Sequence, residues 1–132
     1  MSTLAARIRW RQELFDQNVA KLVVDGKGYA MYFSRSPIPF PRKYLDQGID
    51  VDLDCSVYLR HVGVYGYTAE TLGSIVSAGE SEVEGIECLE MLRALYAGIR
   101  IKVGLVDSAT PHVDFPEDIR EVERALAAEG RA

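Results

Sequence analysis

The sequence predicts an α/β fold with a β-hairpin and flanking helices. Three patterns predict it: short apolar runs rich in β-branched residues, one glycine-rich reversal between two such runs, and one apolar stripe at helical spacing that follows a helix-capping pair. At 132 residues and 48% hydrophobic, the chain has the size of a single domain over 1–132.

The first third of the chain is predicted to be mostly strand. Leu4 to Ile8 and Val19 to Val24 have the apolar, β-branched content of strands, with a short polar helix or turn between them. Asp25-Gly26-Lys27-Gly28 predicts a hairpin, because glycine tolerates the positive φ of a tight reversal. The hairpin would pair Ala20–Val24 with Tyr29–Phe33 in antiparallel fashion.

A long loop is predicted after this hairpin. Pro37, Pro39 and Pro41 lack a backbone N–H and bias the residues before them towards extended conformations, so Ser36 to Asp54 cannot form a regular element. Loops of this length in compact domains are often functional or mobile.

One strand and two helices follow the loop. Tyr58 to Tyr67 is predicted to be a strand, and Thr68 is a plausible N-cap for a helix over Ala69 to Ser77. Ser81 and Glu84 have the spacing of a capping box. The helix that they begin carries an apolar stripe formed by Val83, Ile86, Leu89, Leu92, Leu95 and Tyr96.

The last third of the chain predicts one more strand and one more helix. Ile99 to Val106 is the strand. Asp114 precedes Pro116 at the start of a final amphipathic helix that runs to about Ala128, and proline suits the first turn because its missing N–H would be unpaired there anyway.

Composition excludes several classes of function. The 20 acidic and 15 basic residues give a net charge of −5, which argues against nucleic acid as a partner. The sequence has no apolar run of about 20 residues and no signal-peptide core, so we expect no membrane association and a cytoplasmic location. Cys55 and Cys88 are too few and too far apart for a disulfide framework or a zinc knuckle.

Five segments, in order, carry a resemblance to a known family. They are STLAARI at 2–8, LFDQNVAKLVVDGKGYAMYFSRSPIP at 14–39, YLRHVGVYGY at 58–67, VEGIECLEMLRALYAGIRIKV at 83–103 and HVDFPEDIREVERAL at 112–126. Together they resemble the sugar-binding half of 3-deoxy-manno-octulosonate cytidylyltransferase, or CMP-Kdo synthetase. The order of the five segments is specific, whereas no single segment is.

The resemblance implies both a fold and a reaction. It implies part of a nucleotide-diphospho-sugar transferase-like, Rossmann-like mixed sheet, and the half of such an enzyme that binds sugar and dimerises. The family couples CTP to the acidic sugar Kdo and releases pyrophosphate, for lipopolysaccharide assembly. The family's N-terminal strand and its nucleotide loop of the type IPARxxSxRLPGKPL have no counterpart in the 132 residues.

Arg35 is the first candidate ligand of the sugar. It lies where a strand runs out into the proline turn, and a guanidinium there can hold a carboxylate or phosphate through two N–H groups. The matching arginine of the resembled family lies on the active-site side of the sheet. The alternative is an ion pair that pins the long loop.

His61 and Tyr65 are the second candidates. They are four residues apart in a predicted strand, so both lie on one face, with Gly63 between them leaving an open slot. The resemblance implies that both contact Kdo. The alternative is a satisfied pair of core side chains.

Glu90 is the last candidate for sugar binding. In the predicted helix it is three residues from Glu87, so the two carboxylates would be neighbours, which usually indicates only surface charge. The resemblance aligns Glu90 with the family's sugar-binding glutamate. Met91 replaces the glutamine that follows in the family, and methionine makes no strong hydrogen bond, so one sugar contact is expected to be missing.

Asp114 is the candidate metal ligand. The resemblance implies that it holds magnesium together with an aspartate of the nucleotide-binding half, and magnesium is commonly bound by carboxylates plus substrate phosphates. As it stands the chain is expected to require no cofactor, with magnesium needed only when a complete active site is assembled. His112 replaces a glycine of the family, and the alternative role of Asp114 is to cap the last helix.

Two functions follow from these residues. In the first, the chain is a non-catalytic relative of the sugar-binding half that binds an acidic sugar or a protein. In the second, it is a cytidylyltransferase whose nucleotide-binding half comes from another chain or lies outside the 132 residues. In either case we expect a homodimer or larger homo-oligomer through Val19–Phe33 or Tyr58–Tyr67, because strand edges and an uncovered sheet face promote association.

Overall fold

Five strands form one mixed sheet in the computed structural model, which describes residues 1–42, 53–107 and 119–128. The spatial order is β3-β2-β4-β1-β5. β1 and β5 are parallel, whereas β1 with β4, β2 with β3 and β2 with β4 are antiparallel. The strands are β1 (Ser2–Arg7), β2 (Lys21–Val24), β3 (Ala30–Ser34), β4 (Leu59–Gly66) and β5 (Lys102–Val106). The predicted α/β class and mixed sheet are confirmed.

The β2–β3 hairpin forms at the predicted turn. Gly28 has a φ of 75° and donates its N–H to the carbonyl of Asp25 over 2.9 Å. The Asp25 carboxylate accepts two further backbone N–H groups, from Lys27 at 2.8 Å and from Tyr29 at 2.9 Å. Aspartate therefore caps the turn with its side chain while glycine supplies the left-handed residue.

Helices lie on both faces of the sheet. One face carries the larger hydrophobic cluster, in which Phe33, Leu59 and other strand residues pack on helix residues that include Leu92. Arg60, whose side chain points to the opposite face, forms an ion pair of 2.5 Å with Glu13 of the first helix. The helices are α1 (Arg11–Phe15), α2 (Ala69–Ala78), α3 (Glu82–Glu87), α4 (Met91–Tyr96) and α5 (Ile119–Ala128), and Cys55–Val57 forms a 3₁₀ turn.

Two predicted helix starts are confirmed. The Thr68 side chain accepts the N–H of Thr71 at the start of α2. At the start of α3, Ser81 accepts the N–H of Glu84 while the Glu84 carboxylate accepts the N–H of Ser81, which completes the capping box.

The single helix predicted after this box is wrong, because the chain breaks at Cys88 into α3 and α4. Cys88 has a left-handed conformation with a φ of 51°. Of the predicted apolar stripe, Leu89 and Leu92 are buried, but Ile86 is 81% and Tyr96 is 72% exposed. The break has tertiary causes that spacing does not reveal: Glu87 is held by β3, and Glu84 receives two N–H groups of Arg93 across the break at 2.7 and 2.8 Å.

The conformation of Cys88 leads to a stability prediction. A Cβ in the left-handed region costs roughly 1–2 kcal/mol, and glycine does not incur that cost. After allowing for the greater freedom of glycine in the unfolded chain, we expect Cys88→Gly to raise the free energy of unfolding by about 0.5–1 kcal/mol in urea titrations. Cys88→Ala, which removes the thiol and keeps the Cβ, is the control and should not stabilise. Equal effects of the two variants would contradict the role of backbone strain.

Two predicted strands begin later than expected. Val19 lies in a turn, where its N–H reaches the Asp16 carbonyl at 3.3 Å, so β2 begins at Lys21. Ile99 donates its N–H to the carbonyl of Ala94 at the end of α4, so β5 begins at Lys102 rather than Ile99. Local hydrogen bonds at the preceding turns therefore delay both strands.

The tip of the hairpin reaches the far edge of the sheet. Ala30 donates its N–H to the carbonyl of Ile101 over 2.9 Å, and Val103 donates to the carbonyl of Gly28 over 3.0 Å. Since Lys102 also donates to Met1 over 3.0 Å, the start of β5 is hydrogen-bonded on both sides. The hairpin tip thereby links the β3 edge of the sheet to the β5 edge.

Several predicted features involve residues that the structure does not describe. Residues 36–42 of the predicted loop lie outside helices and strands apart from Arg42, whereas residues 43–52 are not among the described residues. Asp114 and His112 are likewise outside them, so the start of the predicted last helix is not described and α5 is described from Ile119.

Three remaining predictions concern the oligomeric state, the membrane and the two cysteines. Met31 on the edge strand β3 and Val64 on β4 are more than half exposed, but the oligomeric state stays a prediction. Within the described ranges, no helix has the length and apolar character to cross a membrane. Cys55 and Cys88 are not joined in a disulfide.

Candidate functional site

A row of aromatic rings runs along β4 on the face that packs against α2 to α4. The Phe33 ring meets the His61 ring edge-on, with centroids 5.2 Å apart. The His61 and Tyr65 centroids are also 5.2 Å apart, and those of Tyr65 and Tyr67 are 5.9 Å apart. Sequence periodicity correctly predicts that His61 and Tyr65 share a face.

An irregularity in the β1–β4 pairing brings these rings together. Leu4 pairs with Val62, but the preceding Thr3 pairs with Tyr65, so Gly63 and Val64 are extra residues on β4. The space at Gly63 is open as predicted, since an added Cβ would have no atom within 4 Å. The imidazole and the phenol do not wall a slot between them, because the two rings contact one another.

Burial keeps the row uncharged. Removal from water lowers the pKa of His61 to about 4, because the charged imidazolium loses its hydration. Burial also raises the pKa of Tyr65, with smaller contributions from Tyr67 and the Glu90 carboxylate. At neutral pH the site therefore presents a neutral imidazole and phenol groups that can donate hydrogen bonds.

Glu90 lies beside the tyrosine end of the row. It is the N-cap residue of α4, directly after the break at Cys88. Its negative charge, after burial, is a cause of the raised pKa of Tyr67 and contributes to that of Tyr65. The structure thus brings the His61 and Tyr65 rings into contact, and the Glu90 carboxylate lies close enough to Tyr65 and Tyr67 for its charge to act on their pKa values. Ring nitrogen, phenol and carboxylate groups suit a polyhydroxylated ligand.

Met91, which follows Glu90, is buried in the core. It is 6% exposed and belongs to the larger hydrophobic cluster. The side chain at the position of the family's glutamine is therefore part of the core.

Arg35 lies beside the α3–α4 break, immediately after β3, as predicted. Its guanidinium donates to three backbone carbonyls: Glu87 at 2.9 Å, Gln17 at 2.8 Å and Cys88 at 3.3 Å. Arg35 therefore joins the α1–β2 turn to the α3–α4 break through carbonyl groups. The alternative of an ion pair that pins the long loop stays a prediction, because residues 43–52 of that loop lie outside the described ranges. A ligand carboxylate would have only the remaining N–H groups of Arg35.

Glu87 is not a neighbour of Glu90 on one helix, contrary to the prediction. Its carboxylate turns towards the end of β3, where Ser34 Oγ donates over 2.7 Å and the Arg35 N–H donates over 2.9 Å. Both carboxylate oxygens thus fix the end of α3 against the end of β3. The break at Cys88 places Glu87 and Glu90 on different sides of it, one at the end of α3 and the other at the start of α4.

The predicted metal ligand, Asp114, lies outside the described residues. Over the ranges 1–42, 53–107 and 119–128, no three His, Cys, Asp or Glu side chains are grouped so as to hold a metal ion.

A cavity of about 800 Å³ opens at the carboxyl ends of β1 and β5. Parallel strands of α/β sheets commonly bind ligands at this end. Its lining does not include Arg35, His61, Tyr65 or Glu90, so it is separate from the aromatic row; the residues are Arg7, Ile8, Arg9, Leu53, Asp54, Cys55, Ser56, Leu105, Val106 and Asp107.

Sequence reasoning missed two members of the site. Tyr67 follows Tyr65 by two residues, and the period of a strand alone was sufficient to include it. Thr3 contacts His61 from β1, with its Oγ1 2.9 Å from the Nε2 of the ring. Only the pairing of β1 with β4 reveals that contact, since the two residues are far apart in sequence.

Comparison with known proteins assigns the family. The family model described as Cytidylyltransferase matches residues 1–101. The chain belongs to the cytidylyltransferase family. The matched segment includes His61, Tyr65 and Glu90, so the whole aromatic row lies inside it.

Two curated relatives of the chain have the same name. The 3-deoxy-manno-octulosonate cytidylyltransferase of Thermodesulfovibrio yellowstonii is 43% identical over 126 residues, which cover 96% of this chain and 48% of the relative. That of Marinobacter nauticus is 42% identical, covering 100% of this chain and 52% of the relative. The chain therefore spans about half the length of the curated relatives it matches.

A solved structure agrees with the curated relatives. The structure of CMP:2-keto-3-deoxy-manno-octonic acid synthetase complexed with CTP has a TM-score of 0.81 and 36% identity, covering 97% of this chain and 49% of that one. The fold is that of a CMP-Kdo synthetase, a nucleotide-diphospho-sugar transferase fold. The resemblance found in the sequence is confirmed.

Proposed function

We propose that this chain supplies the sugar-binding portion of a cytidylyltransferase that joins CTP to 3-deoxy-manno-octulosonate and releases pyrophosphate. The observation that supports the proposal is the contact between the His61 and Tyr65 rings on one face of the sheet, with the Glu90 carboxylate near enough to contribute to the raised pKa of Tyr65. Relatives named for this activity align with 96–100% of the chain.

The sugar would be held by an uncharged phenol, one carboxylate and one guanidinium. The Tyr65 phenol stays protonated and can donate a hydrogen bond, and Glu90 can accept hydrogen bonds from sugar hydroxyls. Arg35 is proposed to approach the sugar carboxylate with the N–H groups that the backbone carbonyls leave over. Positioning of a hydroxyl is the contribution of this chain to transfer, since orientation lowers the barrier of a two-substrate step.

The nucleotide would be bound by the other half of the enzyme, which is the part of the relatives that lies outside the match to this sequence. Asp114 is proposed to offer one carboxylate to magnesium, which prefers oxygen ligands and neutralises triphosphate charge when bound. The 132 residues by themselves are therefore proposed to bind the sugar without catalysing transfer.

Reconstitution tests this function. The chain would be combined with the unmatched half of the Thermodesulfovibrio yellowstonii relative and supplied with CTP, Mg²⁺ and the sugar. We expect pyrophosphate release from the mixture and none from the chain alone. Glu90→Gln should lower kcat/KM by about tenfold or more, because one charged hydrogen bond is lost. Glu82→Gln, at an exposed glutamate of α3, is the matched control.

Calorimetry separates the possible outcomes. Sugar binding by the chain without turnover in the mixture would favour a non-catalytic sugar-binding module. A mixture that binds CTP, while neither the chain nor the mixture binds the sugar, would contradict the proposed function.

A further inference from the structure

Thr3 lies next to the His61 ring, on the same face of the sheet. Its Oγ1 is 2.9 Å from His61 Nε2, 2.9 Å from the carbonyl oxygen of Val64 and 3.4 Å from that of Val62. Thr3 is only 3% exposed, so these protein groups dominate its hydrogen bonding.

The pairing irregularity explains why one hydroxyl reaches both carbonyls. Regular antiparallel pairing would continue from Leu4 and Val62 to Thr3 and Gly63. The structure instead pairs Thr3 with Tyr65, so β4 folds out between them and turns the Val64 carbonyl towards Thr3.

The tautomer of His61 follows from the single proton of the Thr3 hydroxyl. A threonine hydroxyl has one proton, and a carbonyl oxygen only accepts. The proton of Thr3 is therefore used towards Val64 and Val62, so its oxygen must accept from His61 Nε2–H. With the opposite arrangement, Thr3 Oγ1 and the Val64 oxygen would be two acceptors 2.9 Å apart with no proton between them.

In the tautomer that results, Nδ1 of His61 is a hydrogen-bond acceptor. His61 is neutral at pH 7 because burial lowers its pKa to about 4, and a neutral imidazole carries a single N–H. With that proton on Nε2, Nδ1 keeps its lone pair. The rings of Phe33 and Tyr65, each 5.2 Å from the His61 centroid, hold the imidazole between them.

We propose that Thr3 is a positioning residue that keeps His61 in the Nε2–H form, so that Nδ1 accepts a hydrogen bond from a hydroxyl group of the bound sugar. The identity of the ligand as a sugar rests on the proposed function. The control of His61 by Thr3 does not, because it follows from contacts within the chain.

Nitrogen NMR of the histidine rings tests the tautomer without any ligand. Two-bond ¹H–¹⁵N spectra at pH 7 distinguish a protonated ring nitrogen from a bare one, and His61→Gln separates the signals of His61 from those of His112. The wild-type chain and Thr3→Ser, which keeps the hydroxyl, should both show Nε2–H and a bare Nδ1. Thr3→Val should show a mixture of tautomers or the Nδ1–H form.

Two results would overturn the inference. One is a wild-type His61 that carries its proton on Nδ1, which needs no variant to observe. The other is an unchanged Nε2–H pattern in Thr3→Val, or in Thr3→Ala should the valine variant fail to fold.

Sugar titrations by calorimetry test the consequence for binding. Thr3→Val should weaken binding of 3-deoxy-manno-octulosonate about tenfold, whereas Thr3→Ser should stay within about twofold of wild type. Unchanged affinity in a variant whose tautomer has switched would overturn the positioning role. A wild-type chain that binds no sugar, but whose His61 tautomer depends on Thr3, would support the control of His61 and contradict the proposed function.

Discussion

Replacing Lys21 by methionine is expected to lower the free energy of unfolding by about 3 kcal/mol. Lys21 is fully buried, and its ammonium donates to the backbone carbonyls of Asp16 at 2.8 Å, Val19 at 2.6 Å and Arg35. Methionine fills the space but donates nothing, so three carbonyls lose the ammonium as a donor in a region away from water, and the Asp16 carbonyl keeps the N–H of Val19 at 3.3 Å. An unpaired buried polar group costs about 1–3 kcal/mol, part of which is offset because burying the lysine charge is itself unfavourable.

Lys27→Met is the matched control, since Lys27 is exposed in the hairpin turn. Its effect should stay within about 0.5 kcal/mol. Urea titrations monitored by circular dichroism measure both variants. Equal stabilities of the two variants would show that the three carbonyls are satisfied without Lys21.

The stability of the chain should fall as the pH drops from 7 to 5 because of His61. Burial lowers the pKa of His61 from 6.5 to about 4, so the folded chain binds a proton less readily than the unfolded chain. A depressed folded-state pKa contributes stability that is fully present above pH 6.5 and is lost as the pH falls towards 4. The total over that window is about 3 kcal/mol, of which about 2 kcal/mol should be lost by pH 5.

The comparison with His61→Gln isolates this effect. Glutamine does not titrate, so the variant should lack the part of the pH dependence that His61 supplies between pH 7 and 5. Below about pH 5 the carboxylates of Asp25 and Asp54, whose pKa values are lowered by hydrogen bonds, begin to contribute as well. Parallel stability curves for wild type and variant between pH 7 and 5 would contradict a buried, neutral His61.

Features that depend on neighbouring residues were predictable from the sequence. The Asp25–Gly28 turn and the capping box of Ser81 and Glu84 involve groups within a few residues of one another. The same holds for the placement of His61 and Tyr65 on one face, which follows from the period of a strand.

Features decided by distant contacts were not predictable. The break at Cys88 depends on Glu87 reaching Ser34, a residue from the other half of the chain. Spacing alone favours one continuous helix there, and no local residue such as glycine or proline marks the break. The role of Arg35 as a donor to carbonyls, and the contact of Thr3 with His61, likewise require strand and helix placement that no single segment contains.

The hydrogen bonds on both sides of Lys102 have a consequence for how the chain folds. They join β5 to Met1 on one side and to the hairpin tip on the other, although about a hundred residues separate Met1 from β5. The sheet can therefore close only after nearly the whole described core has been synthesised. Domains dominated by pairings between distant segments fold slowly, commonly in milliseconds to seconds. Until β5 arrives, the larger cluster of a nascent chain lacks Ile101 and Val103. A chaperone that covers apolar surface would find its binding site at the part of the cluster that these two residues later cover.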